Sequence, residues 1–249
     1  MSSNYRVLLL ALLAVALLAA PTAMRAGTNL GMQMSSTPDS FQICDNNTTF
    51  PGCGGTGSDM NPALGQITFL GPVGGWSTNI TSGLGPPFEY LVPLLDVSTF
   101  NATTGGGASP LTILLSVTGL GTSGGFPSGL TNALDTIGGT ATAAGTTITT
   151  QAWYSASNTA FCASASCGSV PLTSLLSVTG RSYSGSAGGS ALLSSGPYSI
   201  TLAVTIDSHG VADTVSFDNE FDLPEPATLS LLGSGLLGLG MALRKKLLI

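Results

Sequence analysis

Tyr198–Asp207 reads YSITLAVTID. Tyr198, Ile200, Leu202, Val204 and Ile206 share one parity, and Ser199, Thr201, Ala203, Thr205 and Asp207 share the other. Alternation sustained over ten residues is the period of a β-strand with one face buried and one wet. Ser208-His209-Gly210 follows, and the next run repeats the pattern. There, Val211, Val215, Phe217 and Phe221 oppose Thr214, Ser216, Asp218 and Glu220. A short polar break containing Gly between two such runs predicts a β-hairpin in an antiparallel sheet with one face in solvent.

Working outward, the same grammar recurs. Pro110–Gly119 (PLTILLSVTG) and Pro171–Gly180 (PLTSLLSVTG) agree at nine of ten positions, 61 residues apart. The one difference, Ile113 against Ser174, falls on the parity of Leu111, Leu115 and Val117, so the second copy lacks one apolar side chain. Gln66–Leu70, Tyr90–Val97 and Thr146–Tyr154 read as further strands between Gly-rich breaks. About eight strands of this kind predict an all-β domain, a β-sandwich or jelly-roll-like fold, over residues 61–222. Residues 27–60 show little periodicity and are expected to form an irregular arm.

The 249 residues include 34 Gly and 14 Pro, 43% are hydrophobic and only 7% are charged. Between Gly27 and Leu223 stands one cation, Arg181, against eleven acids, so a basic nucleic-acid-binding face is excluded. A single His argues against an enzyme built on general acid–base groups, and no cofactor is expected.

The remaining cations mark the ends. Arg6 precedes fourteen uncharged, mostly Leu and Ala residues, Val7–Ala20, a run of about 21 Å as a helix and short for a bilayer. That layout predicts a secretory signal peptide over residues 1–26, cut after Ala26 or Ala23. At the other end, Leu223-Pro224-Glu225-Pro226 leads into seventeen uncharged residues, Ala227–Leu243, and then Arg244-Lys245-Lys246. Seventeen residues is the lower limit for a spanning helix, and the basic triplet would stay cytoplasmic, leaving the rest of the chain outside. Ser230, Ser234, Gly238 and Ala242 would line one face of that helix with small side chains.

Pro224-Glu225-Pro226, the short Leu/Gly-rich segment and the terminal basic cluster together resemble the PEP-CTERM sorting signal of exported Gram-negative proteins. The same tail is also described as an ice-binding protein C-terminal domain, a label that the physics of a membrane helix does not support. The resemblance covers residues 223–249 and implies recognition by exosortase, a membrane protease, at the Pro-Glu-Pro element. It also implies anchorage in the inner membrane during transit, then delivery to the cell surface or the extracellular matrix. Leu247, Leu248 and Ile249 extend past the point where the family's signal usually stops.

Four cysteines fall as two close pairs, Cys44 with Cys53 and Cys162 with Cys167. In an exported chain an even count reads as two disulfides, although four Cys allow three connectivities. A zinc site would need closer spacing and soft partners, and no metal is expected. Gly121-Thr122-Ser123-Gly124-Gly125 fits the G-x-S-x-G pattern, with Asp135 and His209 following in hydrolase order, but no helix start follows the serine. His209 reads as a turn residue. Six of the twelve acids lie between Asp207 and Glu225, a strip that reads as a solvated strand face. Trp153 and Tyr154 are the candidate sugar-stacking pair for an exopolysaccharide partner, alongside a core reading for both. The fold and the sorting signal thus lead to an exported protein with a structural or adhesive role, or a carbohydrate-binding module.

Overall fold

The computed structural model describes residues 29–85, 94–121 and 128–223. The expected signal peptide, Ser123, the Pro-Glu-Pro element, the apolar run Ala227–Leu243 and the basic triplet lie outside the described residues. Thirteen strands account for nearly all of the regular structure. They are β1 (Asn29–Ser36), β2 (Asp39–Cys44), β3 (Gln66–Val73), β4 (Trp76–Leu84), β5 (Leu95–Thr104), β6 (Leu111–Leu120), β7 (Gly129–Ala141), β8 (Thr147–Ser155), β9 (Val170–Pro171), β10 (Leu176–Thr179), β11 (Ser182–Leu193), β12 (Tyr198–Asp207) and β13 (Asp213–Asp222).

All pairings are antiparallel, in two sheets. The first runs β10-β8-β12-β6-β1-β2, with β9 also pairing β8, and the second runs β11-β7-β13-β5-β4-β3. The inward parities meet in one core that includes Leu30, Met32, Ile113, Leu115, Ile200 and Leu202 from the first sheet. Trp76, Phe100, Phe217 and Phe221 come from the second, with the Phe100 and Phe217 rings 4.7 Å apart. The β-sandwich expected from the alternation is therefore present.

Two expectations are corrected. β12 and β13 do not form a hairpin: β12 lies between β8 and β6 in the first sheet, β13 between β7 and β5 in the second. The segment 208–212 is an arch across the core. Alternation is satisfied equally by apolar faces side by side in a hairpin or face to face across a sandwich, so the pattern could not choose. Nor are residues 27–60 an irregular arm. β1 inserts between β6 and β2 and buries Leu30, Met32 and Met34 on one parity. β1 holds no β-branched or aromatic residue and includes Asn29 and Gly31, both depleted in strands, which concealed a strand held by tertiary packing. Among the described residues of that stretch the connection 45–65 carries no strand, and Asn29–Cys44 belong to the sandwich.

Candidate functional site

The outer face of the first sheet is built by register. Ser40 pairs Ser35, Ser35 pairs Thr112, Thr112 pairs Thr205, Thr205 pairs Thr149 and Thr149 pairs Ser177. This is an unbroken row of hydroxyls over six strands, about 24 Å across at about 4.8 Å per strand. Thr112 and Thr205 are within hydrogen-bonding distance, 3.3 Å. Beside it runs Gln42-Gln33-Leu114-Ala203-Gln151. These positions are half-buried or exposed, forming a band that is polar except at Leu114 and Ala203.

Below the band the face is covered. Residues 156–161 fold over it: the Phe161 amide donates to Ser116 Oγ (3.2 Å) and Ser199 Oγ donates to the Thr159 carbonyl (2.6 Å). Gly31 makes the close approach possible, since a Cβ there would lie 2.8 Å from the Phe161 ring. Trp153 stands half-buried at this border, between Thr201 and Pro171.

Tyr154 does not join Trp153. Successive residues of a strand point to opposite faces, and Tyr154 packs inside against Tyr198, ring centroids 5.4 Å apart, its hydroxyl accepting from the Ser194 amide. The paired-aromatic reading is corrected to Trp153 alone on the open face.

Both disulfides are local: Cys44–Cys53 ties the end of β2 to the following loop, and Cys162–Cys167 closes the loop after the cover. Asp59 accepts hydrogen bonds from the amides of Asn46, Asn61 and Thr68, organising that first loop. Among the described residues no group of three His, Cys, Asp or Glu converges as a metal site.

Asp135 and His209, the described members of the hydrolase order, do not pair with each other. The carboxylate beside His209 is Asp207, 3.3 Å away, and its Nε2 lies 3.2 Å from Thr147 Oγ1. Asp135 is wholly buried between the sheets, where Thr150 and Asn219 bond it. Burial raises its pKa to about 6 against the lowering effect of those hydrogen bonds. The acidic strip also divides. Asp218 and Glu220 are exposed on the second sheet's outer face. Asp213 is instead buried and accepts from the hydroxyls of Thr142 and Thr146 and the amides of Ala143 and Thr214. Burial works to raise its pKa, but those bonds prevail and hold it below the ordinary value.

Residues 222–246 match the PEP-CTERM protein-sorting motif. The chain carries a PEP-CTERM sorting tail. That tail marks an exported protein sorted through the membrane. No curated protein matches the chain. Among solved structures, the chain is similar to TmCBM61 in complex with beta-1,4-galactotriose, at 12% identity over 61% of this chain and 83% of that one, TM-score 0.32. It is similar to the enzymatically active domain of tailspike protein 4 of Bacteriophage CBA120, at 9% identity over 64% of this chain and only 19% of that one, TM-score 0.32. It is also similar to the K1 cleaved adhesin domain of Lys-gingipain from Porphyromonas gingivalis W83, at 11% identity over 78% and 98%, TM-score 0.31. Similarity at this level says nothing of function.

Proposed function

We propose that this is a non-catalytic protein delivered by its PEP-CTERM tail to the cell surface or extracellular matrix of a Gram-negative bacterium, with a structural or adhesive role. The sorting motif at 222–246 carries the reading. In it, Val7–Ala20 starts export, and Ala227–Leu243 holds the chain in the inner membrane with Arg244, Lys245 and Lys246 on the cytoplasmic side. An exosortase-type protease then cuts near Pro224-Glu225-Pro226. Two local disulfides suit an oxidising destination. The test is the intact mass of the native protein in membrane, supernatant and matrix fractions. The expected species lacks the tail beyond about Pro226 and lies outside the membrane; a full-length chain kept in the membrane of exosortase-bearing cells overturns the reading.

A carbohydrate-binding role is the second reading, favoured by Trp153 at the edge of the polar band. An indole offers a face for a sugar ring, and hydroxyl and amide rows offer donors and acceptors for its substituents. Trp153→Ala is expected to cut retention on the organism's own exopolysaccharide tenfold or more without changing the melting temperature by more than a few degrees. Equal retention of both proteins removes this reading.

A further inference from the structure

We infer that the end of the sandwich from which the tail departs rests on the lipid surface while the tail is in the bilayer, with Leu130 and Leu192 as its apolar contacts; this rests on the membrane-tethered step proposed above. Leu130 and Leu192 are paired neighbours on β7 and β11, 73% and 74% exposed, and Leu134 is exposed four residues further along β7. Exposed apolar side chains grouped in this way mark interaction sites. At the far edge of the same sheet, Leu64 is exposed just before β3, at the same end of the molecule.

Chain length says what covers them. The last pair of β13 with β7 is Asp222 with Leu134, and β7 overhangs that point by four residues to Leu130, about 13 Å at about 3.3 Å per residue. From Asp222 to Ala227, where the apolar run begins, is five residues, at most about 18 Å of extended chain. Even fully stretched, the tether outreaches the overhang by only about 5 Å, so once Ala227 enters the bilayer Leu130 and Leu192 are brought close to its surface. Asn29 leaves β1 at the same end, since β1 and β12 flank β6 and Tyr198 begins β12 there.

The test uses the full chain in phosphatidylcholine vesicles whose acyl chains carry bromine, a contact quencher of indole fluorescence. Leu192→Trp is compared with Val211→Trp, which places the probe in the arch at the opposite end. The added emission of L192W is expected to fall by half or more and that of V211W to stay unchanged. Leu130→Trp gives the same reading from the neighbouring strand if the first variant misfolds. Protein that floats with the vesicles but shows no difference between probes overturns this inference alone, as does a vesicle-independent dimer that shields both leucines. Protein that fails to float overturns the membrane tether and this inference together.

Discussion

Asp135 makes a closed circuit that counts its own proton. Thr150 Oγ1 lies 2.9 Å from Asp135 Oδ2 and 2.8 Å from Asn219 Oδ1, yet its hydroxyl has one hydrogen to give. With Asp135 protonated, the acid donates to Thr150, Thr150 to Asn219 Oδ1, and Asn219 Nδ2 to Asp135 Oδ1 and the Thr136 carbonyl, so every atom is served. With Asp135 ionised, one buried acceptor goes without. The geometry and the burial-raised pKa of about 6 agree. A folded-state value above the ordinary 3.8 means stability fully present below about pH 4 and lost as pH rises through about 6. At 1.36 kcal/mol per pKa unit the loss is roughly 3 kcal/mol. Asp135→Asn keeps the circuit without the proton, so urea denaturation should find the loss between pH 4 and 7 reduced by about that amount in the variant. An identical pH slope in both proteins would refute it. In the sequence Asp135 was visible only as a member of a hydrolase order. Its partner Asn219 sits on the apolar parity of β13, where a polar residue among Val215, Phe217 and Phe221 was the available sign of a buried network.

At the scale of elements, the repeated decapeptide gives two different structures. The first copy is β6, a central strand with Leu111, Ile113, Leu115 and Val117 all in the core. The second is broken. Leu172 enters the core and its amide donates to the Ala152 carbonyl, then Ser174 crosses to donate to the Gly188 carbonyl of β11. Full burial of an aliphatic side chain favours folding by about 1.5–3 kcal/mol, and Ser174 lacks that incentive where Ile113 has it. The copy therefore becomes a strap that closes the open side between β8 and β11. Gly189 admits the strap, since a Cβ there would lie 1.8 Å from the Leu172 carbonyl oxygen. Gly189→Ala should lower stability by about 1–3 kcal/mol or more, read from chemical denaturation. Gly188→Ala, whose Cβ would meet only the Ala133 carbonyl oxygen at an ordinary 3.8 Å, serves as the control; equal effects of the two would discard the strap. Strand existence was legible from period-2 patterning, but partner choice was not, because pairing partners are fixed by contacts remote in sequence. The six-strand hydroxyl row escaped notice for the same reason: a strand contributes a single position to it.

For the whole molecule, the last two strands to be synthesised are inner strands of both sheets. Without β12 the first sheet separates into β10-β8 and β6-β1-β2; without β13 the second separates into β11-β7 and β5-β4-β3. The class of fold could be read from the sequence, but this placement could not, since it follows from the arch that replaced the expected hairpin. Under the export proposed above, a chain threaded across a membrane from its N-terminus cannot finish the first layer until residue 207, or the second until residue 222, has emerged, while the nine- and five-residue disulfide spacings can close early. Such late closure with long-range pairing is slow. The sorting tail follows immediately, so, with the inner-membrane anchorage proposed above, the same stretch of export that completes the sandwich also brings its stop to the membrane. On that proposal, tethering holds each nascent molecule apart from its neighbours during the interval when its unpaired edges are most prone to join another chain.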